Sequence, residues 1–185
     1  MKKAWIIILA IVLLLAVVLI SQYNGLVSSS EAVSKETANL DSQYQRRMDL
    51  IPNLVTTVKE FMGHETEIIE QISSARAAMA GAGTLGEMSE ADEQLTSALN
   101  ALVVSVENYP DLKSNETFTN LMDELAGTEN RITTARRDYN EVVNSYNLKI
   151  KRFPTNLLAG MFGFEQAEYF EAQQGAENSV EVDFG

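Results

Sequence analysis

Seventeen consecutive apolar residues, positions 4–20, follow Lys2 and Lys3 and give way to Ser21, Gln22 and Asn24. A run of this length reads as a membrane-spanning helix, rising about 26 Å and so nearly matching the hydrocarbon thickness. Trp5 and Tyr23 fall at its two ends, where aromatic residues gather at membrane interfaces. A cleaved signal peptide would share the basic start and the small Ser28, Ser29 and Ser30. The run is longer than a signal peptide's apolar region, however, and no A-x-A site follows at close range, which favours an anchor. The segments are therefore a short flank, residues 1–3, and a transmembrane helix, residues 4–22. Lys2 and Lys3 precede the span, and only Lys35 follows within about twenty residues; by the positive-inside rule the amino terminus is cytoplasmic and the remainder lies outside. The expectation is a single-pass cell-membrane protein.

Beyond the span the chain has room for one domain, since single domains usually run to about 100–200 residues. Few prolines, sparse aromatics and a middle rich in Ala, Leu, Glu, Asn and Ser favour helix. The formal net charge is −12, more acidic still once Lys2 and Lys3 are set aside. No basic stripe interleaved with aromatics relieves it, so nucleic acid is excluded as a partner and anionic headgroups would repel the broad surface. With no cysteine, the chain has no disulfide, thiolate zinc site, lipobox or thiol nucleophile, and says nothing of redox compartment.

Spacings of three and four pick out Leu26, Ser30, Val33, Thr37, Leu40, Tyr44, Arg47, Ile51, Leu54, Val58, Phe61, Glu65, Ile68, Ile72, Ala75 and Met79, a seam for lengthwise helix packing. Pro52 interrupts it chemically, removing a backbone donor, but the phase survives, which predicts a kink rather than a loop. The first helix is expected to end at the glycines of Gly81-Ala-Gly83-Thr-Leu-Gly86. These also match G-x-G-x-x-G, but they follow a helix and no strand, so a loop is the better reading than a dinucleotide site. A second seam holds Leu85, Met88, Asp92, Leu95, Leu99, Leu102, Val106 and Tyr109 and stops at Pro110. A third holds Phe118, Leu121, Leu125, Thr128, Ile132, Ala135, Tyr139, Val142, Tyr146 and Ile150 and stops before Pro154. Leu157, Leu158, Met161, Phe162 and Phe164 suggest a short amphipathic helix that closes the bundle in preference to lying on the membrane, because no basic residue follows Arg152 to engage headgroups.

The expected fold is all-α: an antiparallel bundle of three long helices and a short fourth behind a transmembrane helix. The bundle spans residues 23–164, and residues 165–185 form an acidic, flexible tail. With turns at 81–86 and 109–113, the first helix would overshoot the second by about 25 residues, roughly 38 Å of apolar stripe. An uncovered stripe of that kind calls for a partner, so a homo-oligomer or another envelope protein is expected to cover it.

Several stretches carry a resemblance: Tyr23-Asn-Gly-Leu-Val27, Tyr44-Gln-Arg-Arg-Met-Asp-Leu-Ile-Pro-Asn-Leu-Val55, Val58-Lys59, His64-Glu65 and Tyr109-Pro-Asp-Leu-Lys113. They continue with Glu124-Leu125, Thr128-Glu-Asn-Arg-Ile132, Ala135-Arg136, Tyr139-Asn140, Asn147, Phe153-Pro154 and Gly163-Phe164. In order and spread, these motifs resemble the LemA family. The resemblance implies a bacterial membrane protein with a helical bundle and no established activity; members linked to magnetosome biogenesis suggest scaffolding.

Arg46, Arg47, Asp49, Glu65, Glu129, Arg131 and Arg136 stand out because several lie on or beside the apolar seams, and Tyr109 and Asn130 join them from the motifs. Buried charges must be paired, so the expectation is internal salt bridges that set helix register, with Arg47 near the 109–113 turn and Glu65 close to Arg131. A di-iron bundle would need Glu-x-x-His on two helices; His64 is the lone histidine and its upstream acid, Glu60, is four residues away. No G-x-S-x-G appears, and His64 lacks a recognisable nucleophile. Tyr139 and Tyr146 read as core aromatics. No cofactor, metal or catalytic residue is therefore assigned. The reading is an anchored scaffold or adaptor of the cell envelope, with a membrane-shaping array as the alternative.

Overall fold

The computed structural model describes residues 2–62 and 66–170. Within them the chain is all-α, with no strand, and the helices are α1 (Lys2–Phe61), α2 (Thr66–Gly81), α3 (Leu85–Val106), α4 (Pro110–Lys113), α5 (Glu116–Lys151) and α6 (Thr155–Phe162). The short connection between α2 and α3 makes them antiparallel neighbours, and they pack on one another. Two packed units result, one of Met1–Gln43 with Arg131–Tyr169, the other of Tyr44–Asn130 joined by Phe170, so α1 and α5 each contribute to both.

In the first unit the apolar side chains of α1 between Trp5 and Ile20 are exposed, as those of a lipid-facing helix would be. Beyond the span the seam turns inward. Leu26 is fully buried in a cluster with Tyr146, Ile150, Leu158 and Ala159, against which Val33, Phe164 and Ala167 pack, and Leu40 is also fully buried. The second unit buries Tyr44, Ile51, Leu54 and Val58 of α1, Ile72, Ala75 and Met79 of α2, Leu95, Leu99 and Leu102 of α3, and Phe118 and Leu125 of α5. The three predicted seams are thus the buried faces.

One boundary differs from expectation. The first helix stops at Phe61, with Met62 N–H still bonded to the Val58 carbonyl, and not at Gly81; the segment from Thr66 to Gly81 is a separate helix. This earlier break removes the supposed overhang: Leu26, Val33 and Leu40, on the stripe expected to need a partner, are covered or half covered within the first unit itself.

Pro52 lies inside α1 without ending it. A proline has no N–H for the carbonyl four residues back, here that of Met48. Arg76 of α2 fills the role, its Nε donating to the Met48 carbonyl at 3.1 Å. The kink-inducing residue is thus accommodated by a tertiary donor.

The glycine-rich loop is a helix connection, as expected. Thr84 caps α3, accepting from Glu87 N–H at 3.2 Å, while the Glu87 carboxylate accepts from Thr84 and Gly83 N–H in return, a capping box. Residues 109–113, expected as a plain turn, hold the single helical turn α4, pinned by the fully buried Leu112. Asn115 then caps α5 by accepting from Phe118 N–H at 3.0 Å. The chain leaves α6 through Gly163, whose φ of 73° is the left-handed geometry glycine tolerates.

The segment after Gly163, expected to become flexible from residue 165, is fastened through Tyr169. Asn147, buried on α5, donates to the Ala167 carbonyl at 2.8 Å and accepts from Ala167 N–H at 3.0 Å. Tyr139 donates its hydroxyl to the Glu168 carbonyl at 2.8 Å, and Tyr169 donates to the Asn144 amide oxygen at 3.3 Å. The tail from residue 171 onward lies outside the described residues.

Candidate functional site

The second unit holds a buried charge cluster. Arg47, on the core face of α1, has a side chain only 2% exposed and pairs through its guanidinium with Asp92 of α3 and with Glu129 of α5. Its Nη2 also donates to the Thr96 hydroxyl at 2.9 Å. Its Nε is buried without a hydrogen-bond partner. Asp92 is as buried as the arginine, whereas the Glu129 side chain remains 33% exposed.

The helical repeat explains the meeting. Arg47 occupies the seam between Tyr44 and Ile51, and Asp92 the seam of α3 three residues before Leu95, so both are carried inward by the positions that carry leucines. Glu129 follows the buried Thr128 and reaches in from the edge of the α5 stripe. One guanidinium facing two carboxylates joins three helices at one level. Such a cluster is costly to desolvate and costlier to break, because removing Arg47 would leave the buried Asp92 carboxylate without its cation. Its chemical capacity is to tie helices together, since the fork of arginine can serve several acceptors at once.

Of the residues singled out in the sequence, the structure brings Arg47 and Glu129 together. Arg47, expected near the 109–113 turn, instead binds α3 and α5, because the first helix ends earlier than its seam implies and the levels shift with it. Arg46, Asp49 and Arg131 are exposed, Asp49 accepting from Gln45 at 2.7 Å. Tyr109, half-buried, precedes α4, while Asn130 is exposed and Arg136 half-buried on α5. Glu65, and with it the expected proximity to Arg131, lies outside the described residues. Sequence reading missed Asp92 and Thr96 as partners, although a carboxylate on an apolar seam was the signal for the first.

The first unit has its own polar fastening just beyond the apolar span of α1. Lys149 of α5 donates to the Gly25 carbonyl at 2.6 Å and to the Ser29 hydroxyl at 2.9 Å, and Ser29 itself donates to the Gly25 carbonyl. Gly25 permits this approach, since a Cβ there would stand 3.0 Å from the Lys149 Nζ. Thr155 of α6 donates to Gln22 at 3.0 Å, and the Tyr23 ring lies 4.8 Å from that of Phe162. Burial raises the Tyr139 phenol above its ordinary value, helped by the nearby charge of Glu168. Burial also raises Tyr146, and Glu165 adds to the rise, against a hydrogen bond with Ser30 that lowers it. Among the described residues no group of three or more His, Asp or Glu side chains is placed to hold a metal ion.

An N-terminal apolar helix long enough to cross a bilayer, continuous with an all-α bundle held by buried polar fastenings, defines the class: a single-pass, membrane-associated helical protein. The chain belongs to the LemA family, whose model matches residues 36–184. Its relatives include magnetosome protein MamQ 2 of Paramagnetospirillum magneticum (strain ATCC 700264 / AMB-1), 30% identical over 188 residues covering 88% of this chain and 69% of that protein. Magnetosome protein MamQ of Magnetospirillum gryphiswaldense (strain DSM 6361 / JCM 21280 / NBRC 15271 / MSR-1) is 27% identical over the same shares. Protein LemA of Metamycoplasma hominis (strain ATCC 23114 / DSM 25592 / NBRC 14850 / NCTC 10111 / PG21) is 23% identical over 158 residues, 85% of this chain and 72% of that one.

Proposed function

We propose that the protein is a non-catalytic, membrane-anchored scaffold or adaptor of the bacterial cell envelope, with its bundle held outside the cytoplasm. The observation that carries this reading is where the charged groups go. Arg47 and its two carboxylates, the residues most suggestive of chemistry, are spent on one another, which supports a structural role for the unit that holds them. Relatives named as magnetosome proteins support a role in organising a membrane-associated structure. The partner is a second copy or another envelope protein, engaged through exposed helical surface, since the apolar stripe of α1 beyond the span is used internally.

The test is cross-linking of the full-length chain in its own membrane, with photoreactive residues placed at exposed positions such as Val104, Arg46 and Arg131. Discrete adducts from a subset of positions would support scaffolding; turnover of an envelope substrate by the purified chain, or no adduct from any position, would overturn it. For orientation, a maleimide that cannot cross membranes should label Lys35→Cys in intact spheroplasts, and failure to label would reverse the assignment.

A further inference from the structure

The first unit presents an apolar surface that its own core does not use. On α6, Leu158 and Ala159 face inward, while Leu157 and Met161 are 59% and 77% exposed; Phe162 is 56% exposed, and Phe153, just before the helix, is 80% exposed. No charged residue occurs from Phe153 through Phe164, in a chain whose formal net charge is −12. Isolated exposed apolar side chains need no explanation, but a contiguous uncharged group of them marks a contact.

Position in the fold names the contact. Thr155 is hydrogen-bonded to Gln22 and the Phe162 ring packs on Tyr23, so α6 is fixed to the end of the membrane span. Trp5 and Tyr23 are eighteen residues apart on α1, about 27 Å, which places Tyr23 and whatever packs on it at the aromatic level of the bilayer surface. The basic side chains that sequence order seemed to deny this helix come from the α5 terminus instead, where Lys151 and Arg152 are exposed immediately before Phe153. Apolar side chains on one face with cations alongside are the pattern of a segment lying in an interface.

We propose that the outer face of α6, with Phe153, is a lipid-contact site that inserts into the acyl boundary of the same bilayer that α1 crosses. The span and this foot then grip the membrane at two points, fixing the tilt of the first unit where a lone helix would let it swivel. The occupant is bilayer lipid, because the surface is continuous with the lipid-facing span; a protein surface docking there is the competing outcome.

The absence of cysteine allows a clean test. Single-cysteine variants Phe153→Cys, Leu157→Cys, Met161→Cys and, as a reference, Lys35→Cys of the full chain are nitroxide-labelled and reconstituted into phosphatidylcholine and phosphatidylglycerol vesicles. Power-saturation spectroscopy compares access of oxygen with that of a water-soluble nickel chelate. Lys35 is twelve residues beyond Tyr23, about 18 Å along α1, and should read as aqueous. At 157 and 161 the oxygen-to-nickel ratio is expected to be severalfold higher than at 35. Ratios equal to that at Lys35, or labels shielded from both reagents as under a protein partner, would overturn the proposal. Phe153 lies outside α6 and carries the same expectation, so failure of one variant to fold leaves the test intact.

Discussion

Replacing Arg76 should destabilise α1 only because Pro52 is there. The Met48 carbonyl has no donor from residue 52 and takes one from Arg76 Nε at 3.1 Å. A hydrogen bond from a charged donor contributes about 1.5–3 kcal/mol; Arg76 is half-buried, so Arg76→Met, which keeps much of the packing stem, should cost near the lower limit, about 1.5 kcal/mol. Pro52→Ala restores a backbone N–H and removes a residue that disfavours a helix interior by about 3 kcal/mol, less about 0.4–1 kcal/mol for a looser unfolded chain, and should stabilise. In that background Met48 regains its helical partner, and Arg76→Met should cost about 0.5 kcal/mol or less. The coupling between the two sites is then about 1 kcal/mol. Urea titration of the full chain in mild detergent, followed by helical circular dichroism, gives the four stabilities. Equal cost of Arg76→Met in both backgrounds would show that the bond to Met48 does not compensate for Pro52.

The fastenings lead to three further outcomes. Arg47→Met leaves Asp92 and Glu129 without their cation and should cost about 3 kcal/mol, toward the low end for a broken buried pair because Glu129 is partly screened by solvent. The triple variant Arg47→Met, Asp92→Leu, Glu129→Leu should recover most of that loss in the same titration. Asn147→Leu removes both bonds to Ala167, and hydrogen exchange at residues 165–169 should accelerate more than exchange at the α5 amides on either side. For pH, the Tyr139 and Tyr146 phenols are raised in the fold, so the folded state keeps protons that the unfolded state releases above the ordinary phenol value. Their contribution is therefore fully present below about pH 10 and is lost as pH rises beyond it. The double variant Tyr139→Phe, Tyr146→Phe should lose less stability between pH 9 and 11 than the parent, by melting in matched detergent.

The seams were legible because burial repeats every three or four residues. Leu40, Leu54, Leu95 and Ile132 are all fully buried where the spacing put them. The end of α1 at Phe61 was not legible, because the apolar phase resumes in α2 and Pro52 and the glycines at 81–86 are the louder local signals. A helix end set too late misaligns the helices, creates an overhang the fold does not have, and sets Arg47 opposite the wrong turn. Asp92 betrayed itself as a carboxylate among leucines, but which cation it meets depends on register between helices, a tertiary quantity. The rescue of Met48 by Arg76 and the amide clamp of Asn147 on Ala167 leave no periodic trace at all. Both join a side chain to backbone far away in sequence, and backbone hydrogen-bond demand does not depend on which side chain the residue carries.

The proposal that this anchored bundle holds a second copy or an envelope partner can be tested in the membrane itself. The most direct measurement is native mass spectrometry of the full-length chain, cross-linked in its own membrane and then extracted in mild detergent. A defined assembly heavier than one chain, composed of further copies or of one envelope partner in fixed proportion, is expected. Recovery of the single chain alone, with cross-linking shown to be efficient on a known membrane complex in the same sample, would contradict it.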